Sequence, residues 1–155
     1  MKKIISLVLL TLIISISVYA LDVDSSFWAY DSLVFAENNG IMSFENGFTA
    51  ESAATQADVI KAAAVITAKT RGDDVSNGDY AEYALAAGII PDASLFNSEP
   101  ASREFTAIVF NTVVPSERKI NDIQYIPDVS VFSDNASAVF NLYNAGIFTG
   151  VDEDG

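Results

Sequence analysis

The chain has 155 residues, half of them apolar, with 8 Lys+Arg against 21 Asp+Glu, a net charge of -13, and neither Cys nor His. That apolar content suffices for the core of one domain or an array of small units. Without Cys or His there are no Ser-His-Asp or Cys-His nucleophiles, no thiolate or imidazole metal sites and no disulfides, and eight scattered cations form no basic stripe for nucleic acid. Binding rather than catalysis is the leading expectation. Paired carboxylates could in principle cleave a glycoside, but no motif singles out a pair among 21 acids, so the chain reads as non-catalytic.

Residues 1–20 open with Met1, Lys2 and Lys3, run on as an apolar stretch over 4–18, and end in Val18-Tyr19-Ala20, small or branched side chains where a signal peptidase reads. They read as a secretory signal peptide, with the mature chain starting at Leu21. The rival, an uncleaved anchor, needs about 20 apolar residues, and this stretch is shorter and carries Ser6, Thr11, Ser15 and Ser17. Cleavage removes two of the basic residues and none of the acidic ones, leaving a secreted acidic protein with no membrane span. It has no Cys for lipid attachment, and its folding rests on packing alone.

Three later segments end alike: 33–42 reads LVFAENNGIM, 81–90 reads AEYALAAGII and 139–148 reads VFNLYNAGIF. Each is a predicted amphipathic helix that stops at Gly followed by Ile. Gly40, Gly88 and Gly146 can take the left-handed conformation that ends a helix, while Ile41, Ile89 and Ile147 fold back on Ala36, Ala84 and Leu142. After the first two stops comes a loop with an aromatic anchor, then a hydroxyl cap and a second helix. In the first copy the loop is Phe44-Glu45-Asn46-Gly47-Phe48, and Thr55-Gln56-Ala57-Asp58 has capping-box spacing before a face of Ile60, Ala63, Ala64 and Thr67. In the second copy Phe96 anchors the loop, Ser102 caps, Glu104 suits the helix dipole, and Phe105, Ile108, Val109, Thr112 and Val113 form the apolar face before Pro115. The third unit reaches only Gly146-Ile147-Phe148-Thr149-Gly150 and the acidic 151–155, so its first helix is expected to lack a partner for Val139, Leu142 and Tyr143. Either the last unit is naturally incomplete or, as we favour, the chain is a fragment with a missing C-terminal passenger.

These units, spanning 21–72, 73–120 and 121–155, resemble the S-layer homology (SLH) repeats of bacterial cell-envelope proteins. The resemblance covers the chain from about Asp22 onward and rests on DVDSSFWAYDSLVFAENNGI, YAEYALAAGII, FNSEPASREFTAIVF and LYNAGIFTGVDEDG, in that order. It implies a mostly α fold: repeats of helix, Gly turn, loop and helix forming a pseudo-threefold helical bundle, here with the third repeat incomplete. It also implies non-covalent attachment of an exported protein to secondary cell-wall polysaccharide, often pyruvylated, at the bacterial surface. The family's sugar contacts include a Trp near the start of the first helix and the Arg of a Thr-Arg-Ala-Glu-like motif, which correspond here to Trp28 and to Arg103 after Ser102. Around them Gly40 and Gly88 shape the turns. Tyr80 lies near the place of the second unit's missing Trp, and Gln56 replaces the first unit's Arg. The alternative function is a degenerate repeat domain serving as a structural or protein-interaction module without sugar binding.

Trp28 can stack on a sugar ring or pack beside Phe27 as a core residue. Arg103, at the first turn of a helix, can offer its planar fork to a carboxylate or pair with Glu99 or Glu104 at the surface. Lys69, Arg71, Arg118 and Lys119 could support a cationic pocket but read more simply as solvated. Asp152-Glu153-Asp154-Gly155 resembles the start of a calcium loop, and Asp22-Val23-Asp24 adds oxygens, but neither supplies the six or more ligands calcium takes, and both read as polar turns. No cofactor or metal is expected.

Overall fold

A computed structural model describes residues 23–44, 52–75, 77–115, 118–127, 129–130 and 135–149. The export segment, Asp22, the loop residues Glu45 to Phe48, and 150–155 lie outside the described residues. Within them the chain is mostly helical: α1 (Tyr30–Asn38), α2 (Gln56–Arg71), α3 (Tyr80–Ala86), a 3-10 turn (Ala93–Leu95), α4 (Arg103–Asn111) and α5 (Ala136–Asn144). Extended pairing among the described residues is limited to an isolated antiparallel bridge between Thr55 and Pro100.

The three Gly-Ile stops are built alike. Gly40, Gly88 and Gly146 have φ of 65°, 74° and 70°. The amides of Ile41, Ile89 and Ile147 donate to Ala36, Ala84 and Leu142 carbonyls at 2.9, 2.8 and 2.9 Å, and each glycine amide donates three residues back. The carbonyls that would otherwise be orphaned at each helix end are thus satisfied by the chain that follows.

The caps of the second helices also form as expected. Thr55 Oγ1 accepts from the Asp58 amide at 3.2 Å, and Asp58 Oδ2 accepts from the Thr55 amide at 2.9 Å. Ser102 Oγ accepts from the Phe105 amide at 3.0 Å. A further stop, Gly72 with φ 79°, ends α2, where Lys69 and Arg71 sit favourably in the last turn.

The alanine-rich α2 is the central element. Ile60, Ala63, Ala64 and Thr67 are buried as the spacing predicts, and so are Val59, Ala62, Val65 and Ala68. Small side chains let other helices approach on more than one side. The core joins Val59, Ile60, Ala63 and Ala64 of α2 to Ala84 of α3, to Ile89 and Ile90 beyond its stop, and to Val109 of α4. Fully burying an isoleucine such as Ile60 is worth about 1.5–3 kcal/mol.

Two expectations need correction. On α4 the buried positions are Ala107 and Val109, whereas Ile108 is partly exposed and Thr112 lies past the helix end on the surface. The buried stripe is narrower than the five-residue face because the helix presents mainly Ala107 and Val109 to its neighbours α2 and α5. The first helix of the third unit is also not unpartnered: Leu142 is fully buried, and Val139 and Tyr143 are half-buried. Its partner is α4, because packing runs between units: α2 packs on α3, α4 packs on α5, and α2 and α4 meet each other. The helix without comparable helix packing is α1, which has no buried residue.

Polar ties complete the frame. Ahead of α2 and α4 the loops are laced by Gln56 N to Glu99 O at 2.8 Å, Ala57 N to Asn97 O at 2.9 Å and Ala101 N to Ala54 O at 2.8 Å. At the end of α5 the Asn144 carbonyl accepts from the Ile120 and Asn121 amides. Its side chain accepts from Ile123 N at 2.6 Å and donates to Ile123 O at 3.3 Å.

Candidate functional site

Where α4 begins and α5 ends, a cavity of about 370 Å³ is lined by Arg103, Glu104, Val129, Ser130, Val139, Tyr143 and Phe148. Its size lies at the small end of the range for small-molecule sites. The Ser102 cap fixes the start of α4, so Arg103 occupies the first helical position and reaches from the second unit toward the third.

Arg103 Nη2 donates to the Thr149 carbonyl at 2.6 Å, and its guanidinium carbon lies 5.0 Å from the centroid of the Phe148 ring. The Tyr143 hydroxyl donates to the same carbonyl at 3.2 Å, and the Tyr143 and Phe148 rings meet edge to face at 6.0 Å. Across the α4 start, Glu104 Oε1 accepts from Asn135 Nδ2 at 2.8 Å. The guanidinium thus finds a carbonyl and a ring, where the surface alternative had Glu99 or Glu104. Among the described residues Thr149 takes one of the five N–H donors, and the other edge of the fork can meet a carboxylate or sugar hydroxyls.

The two second-helix starts differ in this respect. At α2 the amides of Gln56 and Ala57 are taken by the loop of the next unit, and the Gln56 side chain accepts from Asn97 Nδ2 at 3.2 Å. Among the described residues no backbone carbonyl takes the corresponding places at Arg103 and Glu104.

The remaining candidate residues lie elsewhere. Trp28 is 89% exposed, tilted against Phe27 at 5.6 Å, and outside the lining of the Arg103 cavity. That excludes the core-packing reading and does not bring Trp28 together with Arg103. Tyr80 and Gly40 line a second hollow of about 460 Å³ with Asn39, Lys69 and Asp73. There Lys61 Nζ sits 5.3 Å from the centroid of the Tyr80 ring. Gly88 serves its helix stop and lines neither hollow. Nearby, the Tyr83 hydroxyl donates to Asp73 Oδ2 at 2.7 Å, and burial followed by this carboxylate pushes its pKa up.

Tyr143 and Phe148 were not singled out from the sequence as site residues. The available signal was their position: Tyr143 lies a turn before the Gly146 stop and Phe148 two residues after it, the place where Ile90 is buried in the second unit. Asp24 opens a local turn. Its Oδ1 accepts from the Ser26 amide at 2.7 Å, which holds its carboxyl below the ordinary value. Among the described residues no three Asp or Glu side chains converge as metal ligands, and no helix is long and apolar enough to cross a membrane. Comparison with protein-family models, with curated proteins and with solved structures finds no match.

Proposed function

We propose that the chain is a non-catalytic cell-envelope module of the SLH type, exported by its N-terminal segment, that attaches a bacterial protein to secondary cell-wall polysaccharide. The observation that carries this reading is Arg103, held between two successive units over Phe148 and lining a sugar-sized hollow, with part of its fork without a partner among the described residues. The repeat pattern supports it. Three identical Gly-Ile stops, and two second helices each packed on the first helix of the next unit, are what a rotating array of SLH-like repeats requires. In the SLH resemblance three such repeats close as a pseudo-threefold bundle.

In this reading the polymer carries carboxylates, as pyruvylated sugars do, and meets a local cation on an acidic protein, so capture depends on the pocket rather than on long-range attraction. Arg103 supplies the planar fork, Ser102 holds the helix start that presents it, and Trp28 offers a separate exposed stacking face. The second reading, a structural or protein-interaction module without sugar binding, draws support from that same separation. Trp28, just before α1, and Phe35 within it are 89% and 62% exposed, and α1 has no buried residue; both lie outside the lining of the Arg103 hollow.

The test is sedimentation of the purified protein with cell-wall sacculi, before and after chemical removal of secondary polymer. Binding that disappears with the polymer, and that weakens in Arg103→Lys at unchanged thermal stability, is expected. Binding indifferent to polymer removal, or undiminished in Arg103→Lys, would overturn the anchoring function and leave the interaction module.

A further inference from the structure

The geometry points to Tyr143 as a positioning residue for Arg103, acting through the Thr149 carbonyl. The inference rests on reading the Arg103 hollow as the polymer site, but its physical core stands on four groups. The Thr149 carbonyl accepts from Arg103 Nη2 at 2.6 Å and from the Tyr143 hydroxyl at 3.2 Å, so one oxygen with two lone pairs joins both side chains. The Phe148 ring lies 5.0 Å from the guanidinium carbon and meets Tyr143 edge to face.

A guanidinium on an exposed helix start otherwise samples many rotamers, and ordering it on ligand arrival costs affinity. Here the carbonyl fixes one N–H direction and the ring backs the group. Tyr143 comes from α5, a buttressed element: Leu142 beside it is fully buried, and Asn144 is tied to Ile123. The Tyr143 hydroxyl thereby holds Thr149, which follows the Gly146 stop and sits on the surface. The guanidinium is set by a chain running from α5 through Thr149 to α4.

Tyr143→Phe removes only the hydroxyl and keeps the ring contact with Phe148. In protein labelled with 15N at arginine, the Arg103 side-chain signals, assigned by their loss in Arg103→Lys, should show restricted guanidinium rotation in the parent. In Tyr143→Phe that rotation should become freer and Nε–H exchange faster, with an unchanged thermal midpoint. Loss of one hydrogen bond in the relay should weaken sedimentation with sacculi by about fivefold. Phe148→Leu, which removes the backing ring and leaves the carbonyl, should loosen Arg103 as well. Unaltered Arg103 signals in Tyr143→Phe would overturn the positioning role, whatever the binding result. Loosened signals with no polymer binding by either protein would uphold the positioning role and count against the anchoring function alone.

Discussion

Helices α1 and α3 close with the same hydrogen bonds, Ile41 to Ala36 at 2.9 Å and Ile89 to Ala84 at 2.8 Å, yet the chain beyond them meets different surroundings. Past α3, Ile89 and Ile90 are 4% and 3% exposed against α2, and Ala84 is fully buried. Past α1, Ile41 and Met42 are only half-buried, and the helix itself buries nothing. The stop is a local property of Gly followed by an apolar residue. Its burial depends on what lies beyond: α2 covers Ile89 and Ile90, whereas α1 has no comparable helix beside it among the described residues.

Truncation of the residue after the stop sharpens this contrast most. Ile89→Ala should cost about 3 kcal/mol, because it opens a cavity between α2 and α3. Ile41→Ala, at a half-buried side chain past a helix that buries no residue, should cost less, about 1 kcal/mol. Denaturant titration of both variants measures the difference, and equal losses would mean that burial does not follow the inter-unit packing.

Changing the glycine itself separates the backbone from the surroundings. An alanine methyl at Gly40 or Gly88 would meet nothing within 4 Å, so its cost is that of a left-handed conformation, about 1–2 kcal/mol. At Gly88 the cost should appear in the global unfolding midpoint. At Gly40 it should appear instead as faster amide exchange confined to Tyr30–Asn38, because α1 can fray without disturbing the core. A full global loss at Gly40 would show α1 to be integral to the cooperative unit.

The two second helices offer a smaller contrast. Thr55→Ala breaks a reciprocal capping box beside the bridge to Pro100, and Ser102→Ala removes a single acceptor, so costs of about 1.5 and 0.7 kcal/mol are expected from thermal unfolding.

These starts and stops were legible because each is written within a few residues: Thr55 with Asp58, Ser102 with Phe105, Gly146 with Leu142. The buried face of α2 was legible for the same reason, as its period matches one helix. The choice of partner was not. Unit boundaries suggested that a first helix pairs with the second helix of its own unit, and the structure pairs it with that of the unit before. The ties that accomplish this, Asn97 to Gln56 and Arg103 to Thr149, join residues 41 and 46 positions apart with no shared period. Arg103 was visible as a candidate because the Ser-Arg-Glu run that carries the SLH resemblance is local and opens a helix. Tyr143 and Phe148 were not, because their role arises only where α4 and α5 meet.

The docking of α3 also carries a pH signature. Burial, then the bond to Asp73, raises the pKa of Tyr83 in the folded chain above its unfolded value. The neutral phenol is therefore the stabilised form. Its contribution is whole below the ordinary tyrosine pKa of about 10 and is lost as pH rises through the higher folded value. The thermal midpoint of the parent should fall more steeply above about pH 10 than that of Tyr83→Phe, a small effect at an accessible side chain. Parallel curves would place no strain on α3 when Tyr83 ionises.

The smallest expected effect tests the other side of the comparison. Trp28 is the sole tryptophan, is 89% exposed and lies in the turn that leads into α1, so its fluorescence reports on that end of the chain alone. Its emission should already resemble that of tryptophan in water and shift little on unfolding, and Trp28→Ala should change stability by no more than about 0.5 kcal/mol. The same measurement on sacculi then becomes informative, because any surface that covers α1 would move the emission to shorter wavelength. A blue-shifted emission from the purified protein, coupled with a large loss of stability in Trp28→Ala, would mean that α1 is packed in solution as α3 is. The difference between the two helices would then disappear.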